Sequence, residues 1–309
     1  MNNVIFIGNG LNRTIKDEYS WETLMNEISK EYNVLFDKNN SFPLEFEKMI
    51  NVILKKDPDK RINIYNSIKE FISDKILKMT LEKDSIHYRL LEIKCNNIIT
   101  TNYDFLLEKA YIGETIDLKN IKPYEDKYLM TKLPIKTDIN FYHIHGVATK
   151  VSSICLGYEH YAGLLENLRS NINKKEQNIK SKMIIKQKLF NEIKWDNHWY
   201  EFFYNSNIYI LGFNMDLSEI DIWWLLTHRA YLYYNNYEGL KKKINNEIVF
   251  FDIYKDTDLQ KIRIHNLLEG LHVKVKAYKI GKNETYLSKY NLIIDEIKQM
   301  TEDSNNGDK

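Results

Sequence analysis

Asn97-Ile98-Ile99-Thr100-Thr101-Asn102-Tyr103-Asp104 is the stretch whose reading decides the fold. An apolar, β-branched run stops abruptly in an Asn and an Asp, and a helical pattern begins at Phe105. That is the signature of a strand delivering polar side chains at its carboxyl end, where open α/β sheets bind their ligands. Two plainer roles fit the same residues: Asp104 capping the following helix, and Asn102 holding a left-handed turn.

Working outward, the same grammar recurs. Val4-Ile5-Phe6-Ile7 stops at Gly8-Asn9-Gly10-Leu11-Asn12-Arg13, a tight Gly-x-Gly turn whose backbone N–H groups can approach a pyrophosphate. The third glycine of the dinucleotide fingerprint is replaced by Arg13. Phe141-Tyr142-His143-Ile144 ends in His145-Gly146, Asn207 to Leu211 ends in Gly212-Phe213-Asn214, and Val249-Phe250-Phe251 ends at Asp252. Strands alternating with helices predict an α/β fold, a Rossmann-like doubly wound and mostly parallel sheet, so these ends converge on one edge. His143 is expected on the same side as His145 by strand alternation, deeper and packed behind it.

The helical stretches fall between these strands. Ser20 is placed to cap a helix with Trp21, Leu24, Met25 and Ile28 on one face. Pro43 opens a second, and a third runs roughly over residues 61–79, so residues 16–95 are expected to form a helical cap. Residues 157–204 are expected as a second helical insertion, with a solvated Lys- and Asn-rich face. The Rossmann-like core is then residues 1–15, 96–150 and 205–280, within one domain over 1–300. Ser218 and Asp221 have capping-box-like spacing ahead of Ile222. A last helix is expected over residues 284–300, followed by a disordered polar tail over 301–309.

The chain has 309 residues, 43% hydrophobic and 28% charged, which suits a globular protein with a sizeable core. A net charge of +1 provides no global field toward nucleic acid, and no apolar run approaches a membrane span. The two cysteines, Cys95 and Cys155, fit neither a disulfide framework nor a four-thiolate zinc site. The expected location is the cytoplasm.

Gly8-x-Gly10, Thr100-Thr101-Asn102-Tyr103-Asp104, His145-Gly146 and Leu211-Gly212-Phe213-Asn214, in this order, resemble the sirtuin superfamily. More closely they are similar to the SIR2-like domain of bacterial NAD-consuming anti-phage defence proteins, as are Tyr19-Ser20-Trp21 and Ile154-Cys155-Leu156 with Tyr161. The resemblance implies that Asn102 is the catalytic amide, orienting the nicotinamide riboside and the attacking water. It implies that His145 is the catalytic histidine at the ribose hydroxyls. Gly8, Asn9, Gly10 and Asn12 fall on its phosphate loop. Thr101 and Asp104 count among its cofactor contacts, Asp104 near the nicotinamide side. Gly212, Phe213 and Asn214 fall on the loop near the phosphate and adenosine ribose, and Asp252 on the strand end that holds the adenine ribose. Deacylases of the superfamily carry four zinc-binding cysteines and a Pro-Asp-Phe-Arg element, and this chain has neither.

The expected function is therefore an NAD+ hydrolase that releases nicotinamide and ADP-ribose, with NAD+ as substrate and no metal. The alternatives are a non-catalytic sensor of NAD or an ADP-ribose derivative, and a deacylase or ADP-ribosyltransferase. Because depletion of NAD+ is toxic, restraint is expected through a homo-oligomer or a separately encoded partner, an ATPase or nucleotide-processing protein of the same operon. No contact with membrane or nucleic acid is expected.

Overall fold

The computed structural model describes residues 2–15, 20–59, 63–113, 125–126, 129–130, 138–173, 184–235, 237–255 and 257–306. The main sheet is built from β1 (Asn2–Ile7), β2 (Asn97–Thr100), β5 (Asn140–His143), β6 (Ser206–Leu211), β7 (Ile248–Tyr254) and β8 (Lys274–Lys279). Its order is β5-β2-β1-β6-β7-β8 with every pair parallel, so in chain order the strands run 3-2-1-4-5-6, the Rossmann arrangement. The order reverses between β1 and β6, and a ligand crevice belongs beyond their carboxyl ends. β3 (Glu125–Asp126) and β4 (Leu129–Met130) form a separate antiparallel pair.

Strands buried on both faces need continuous apolar runs, and these have them. Val4, Phe6, Ile99, Ile208, Ile210 and Phe250 face one core, while Ile5, Ile7, Ile98, Tyr209, Val249 and Phe251 face the other. The first core is covered by α6 (Tyr158–Asn173), α7 (Ile184–Leu189), α8 (Phe202–Asn205), α9 (Ile220–Asn235) and α10 (Leu259–Gly270). The second is covered by α4 (Ile86–Leu90), α5 (Leu106–Ile112) and α11 (Tyr286–Asn306). A third cluster packs α1 (Trp21–Glu31), α2 (Phe42–Lys56) and α3 (Ile64–Ile76) against Tyr103, Leu106, Ala148, Ile154 and Leu156, beside the carboxyl edge. Ser20 caps α1 as expected, its hydroxyl accepting from the Thr23 N–H at 3.1 Å.

Several boundaries differ from expectation. Within the expected insertion over 157–204, Leu164, Leu168 and Ile172 of α6 pack into the sheet's own core. α4 likewise belongs to the main body and not to the cap, through Ile86 and Leu90. The expected tail is helical instead: α11 continues to Asn306, and Thr301 is fully buried with its hydroxyl on the Lys298 carbonyl. Residues 307–309 and Tyr19 lie outside the described residues, as do residues 174–183 of the expected second insertion.

Candidate functional site

β2 ends at Thr100, and a short network shapes the turn beyond it. The Thr101 N–H donates to the Ile7 carbonyl (3.2 Å), and the Asn102 N–H to Thr100 Oγ1 (3.0 Å). The Asn102 carbonyl accepts from His143 Nδ1 at 2.7 Å, and His143 Nε2 meets Glu108 Oε1 of α5, also at 2.7 Å. With an acceptor at each ring nitrogen, both carry protons and His143 is an imidazolium. Burial pulls its pKa down, but the Glu108 carboxylate and the Asn102 carbonyl outweigh burial and raise it.

At the switch point three glycines interlock. The Gly8 N–H donates to the Leu211 carbonyl (3.2 Å) and the Gly10 N–H to the Gly212 carbonyl (2.7 Å). A Cβ on Gly8 would lie 2.6 Å from the Gly212 oxygen, and one on Gly10 2.7 Å from that oxygen and 2.6 Å from Tyr290 Oη. Gly212 itself has φ +64°, the left-handed region glycine adopts without strain. The amides of Gly8 and Gly10, two residues of the expected phosphate loop, thus point to the adjoining strand end, where the glycines hold the two loops in contact.

Asn12 ties the same loop inward. Its Nδ2 donates to Asn9 Oδ1 and to Asp104 Oδ2, both at 2.8 Å, and its Oδ1 accepts from His87 Nε2 at 2.9 Å. His87 is neutral there, its pKa depressed by burial to about 4, and Ser85 Oγ lies 2.7 Å from its Nδ1. Asp104 Oδ1 accepts from the Leu106 N–H at 3.0 Å, so it also opens α5. Burial raises its pKa despite those bonds.

His145 sits elsewhere than strand alternation implied. β5 stops at His143 and the chain turns, so His143 meets α5 while His145 meets the start of α9. His145 Nε2 is 3.2 Å from Asp221 Oδ2 and 3.8 Å from Glu219 Oε2, and Tyr161 of α6 packs edge-on with ring centroids 5.1 Å apart. Burial pulls the imidazole pKa down, but the Asp221 and Glu219 carboxylates raise it overall. Glu219 is pushed well above the usual carboxylate range, first by burial and then by Asp221 and Asp216. The cluster thus compensates its own charge. Its three donor atoms lie within 4.8 Å of one another, a spacing compatible with a shared cation, but the His145–Asp221 separation is that of a hydrogen bond and we assign no metal to it.

The expected site residues now divide by what they already bind. Asn12 and Asp104 are committed to one another, and Asp252 lies inside β7 with its carboxylate on Lys261 and on His265 Nε2 (2.9 Å). The Phe213 ring belongs to the core, 5.0 Å from Phe6, and Asn214 is exposed. Among the described residues, no partner engages the Asn102 side-chain amide, the Thr101 hydroxyl or His145 Nδ1. Glu108, His87, Glu219 and Asp221 were not singled out as site residues from the sequence. Asp221 was noted only for capping, yet Ser218 turns to Asp216 and Asp221 to His145, so that box does not form. An acid pair directly after the Gly212 loop was the signal available.

Cys95 and Cys155 are both buried, with thiol pKa values raised by burial. No helix among the described residues is long and apolar enough to cross a membrane. A search of curated proteins finds no match to this chain. Residues 96–214 match the family model described as a SIR2-like domain, a span that includes Asn102, Asp104, His145 and the Gly212 loop. The Rossmann-ordered sheet, with those residues at its carboxyl edge, agrees with that likeness to a SIR2-like domain over residues 96–214.

Proposed function

We propose that this chain hydrolyses NAD+ to nicotinamide and ADP-ribose, and that it does so as the toxic effector of an anti-phage, abortive-infection response. The observation that carries the chemistry is the division above: among the described residues, the Asn102 amide and His145 Nδ1 are uncommitted groups on neighbouring turns, while Asn12, Asp104 and Asp252 are bonded to other side chains. The nicotinamide–ribose bond needs little covalent help, since the pyridinium leaves as a neutral pyridine through an oxocarbenium-like transition state. What the protein must supply is a held ribose and one placed water. The Asn102 amide can orient that water without ionising, and His145 can take its proton. The C1′–N bond breaks with both electrons going to the nicotinamide nitrogen, the water oxygen bonds C1′, and its proton passes to the imidazole. The two cysteines cannot build the zinc module of a deacylase, which favours hydrolysis over acyl transfer.

An NAD+-consuming chain needs restraint, which we assign to self-association or to a separately encoded partner of the ATPase or nucleotide-processing kind. The test is incubation with NAD+, alone and with neighbouring gene products, resolving products by chromatography. Parent protein should release nicotinamide and ADP-ribose in equal amounts, and Asn102→Ala and His145→Ala should not. Parent-rate turnover by Asn102→Ala would overturn the assignment.

A further inference from the structure

Asp221 is fully buried in the first turn of α9, yet no backbone N–H of that helix is among its hydrogen-bond partners. The backbone bonds at that end run from Trp223 N–H to the Glu219 carbonyl (3.0 Å) and from Ile220 N–H to the Ser218 carbonyl (2.8 Å). Among the described residues, the Asp221 carboxylate has one hydrogen bond, to His145 Nε2, and its Oδ1 is buried without a partner. A desolvated carboxylate held this way is costly, so a structural reason for it should be visible, and capping is not that reason. The groups facing His145 are Asp221 on α9, Glu219 just before it, Tyr161 on α6, and Cys155, whose N–H donates to the His145 carbonyl at 2.9 Å. Asp216 acts on Glu219 in turn.

We infer that Asp221 is the positioning residue of this site: by accepting the Nε2–H of His145 it selects the tautomer in which Nδ1 is the proton acceptor. The inference rests on the hydrolase reading for its kinetic consequence, but the tautomer itself does not. In the step, water bonds C1′, the C1′–N electron pair leaves with nicotinamide, and the water proton goes to Nδ1. The resulting imidazolium shares its Nε2–H with the Asp221 carboxylate until the Nδ1 proton is lost to solvent. The logic is that of an Asp-His pair in acyl-transfer enzymes, where the acid orients the ring and steadies its cation without taking the proton.

The experiment compares the parent with Asp221→Asn, Asp221→Glu and Glu219→Gln, each confirmed as folded by circular dichroism. Asp221→Asn should lower kcat on the order of 10³-fold, leave KM for NAD+ within about threefold because substrate contacts are untouched, and move the acid limb of kcat/KM to lower pH as the neighbouring charge is lost. Asp221→Glu should recover part of kcat. Nitrogen NMR of the labelled histidines, without any turnover, should show His145 protonated at Nε2 in the parent at alkaline pH and the opposite tautomer enriched in Asp221→Asn. That readout separates the two ideas: a parent that never cleaves NAD+ but shows the tautomer switch sinks the hydrolase reading and keeps the positioning role. An unchanged tautomer and unchanged kcat in Asp221→Asn overturn the inference. Loss of activity on adding EDTA, restored by Mn2+ or Zn2+, overturns it as well, since the three donors would then hold a cation. Should Asp221→Asn fail to fold, the parent spectrum and Asp221→Glu decide: His145 protonated at Nδ1 in both overturns the inference, and Nε2 protonation in both supports it.

Discussion

His143 Nδ1 donates to the main-chain carbonyl of Asn102 at 2.7 Å, so a buried imidazolium on the neighbouring strand holds the backbone that carries the proposed catalytic amide. Asn102 is thereby fixed through its backbone, which leaves its side chain available to a ligand. Glu108 completes the chain from behind. Removing either partner strands a charge in the interior, so His143→Ala or Glu108→Ala should cost about 3–5 kcal/mol in urea unfolding. The surviving folded fraction should lose NAD+ turnover, because Asn102 loses its brace.

The same pair predicts a pH signature. The folded pKa of His143 is raised above the ordinary histidine value, so its contribution to stability is full below about pH 6.5 and is lost as pH rises through the folded value. The stability gap between parent and His143→Gln should therefore be widest in mildly acidic buffer and shrink toward alkaline pH. A gap that widens with pH, measured by thermal melts across buffers, would contradict the sign.

Asn12 and Asp104 are 92 residues apart in sequence and bonded side chain to side chain in the interior. Asn12→Ala leaves His87 Nε2 without its partner and should cost about 1–3 kcal/mol. A double-mutant cycle with Asp104→Ala should show coupling of roughly 0.5–3 kcal/mol. Additive losses would mean the contact contributes nothing of its own.

The interlocked glycines make a steric prediction. Gly10→Ala sets a methyl against Tyr290 Oη and the Gly212 carbonyl, and should destabilise by about 1–3 kcal/mol. Adding Tyr290→Ala should relieve only part of this, since the Gly212 oxygen is backbone and cannot step aside. Full rescue, read from melting temperatures, would place the whole clash on the tyrosine.

Much of this site was legible because parallel sheets concentrate polar groups at strand ends. Asn102, His145 and the Gly212 loop could each be read from an apolar run that stops, and the resemblance to NAD-using proteins rested on the same stops. What stayed hidden depends on distances between elements. Nothing local in Asp221 says that its carboxylate meets His145, 76 positions earlier, and its spacing from Ser218 offered a plausible cap instead. The two-residue period placed His143 and His145 together, but the strand ended between them and the turn parted them. Asp252 was read from its place after Phe251, while Lys261 and His265 reach it only through the packing of α10 on the sheet. The tail from Thr301 looked too polar to order, yet its residues as far as Asn306 continue the ladder of α11, with Thr301 buried.

The all-parallel sheet also has a practical bearing on how the protein is handled. β1 starts at Asn2, alongside Ser206 at the amino edge, and the far end of α11 comes back to that edge, with Glu302 3.9 Å from Lys94 and Lys298 paired to Glu92. The Asn102 and His145 turns lie at the opposite edge. A probe attached at Asn2 or at Glu302 would therefore sit at the sheet edge away from the proposed reacting groups, and a sample immobilised through either position would present them outward.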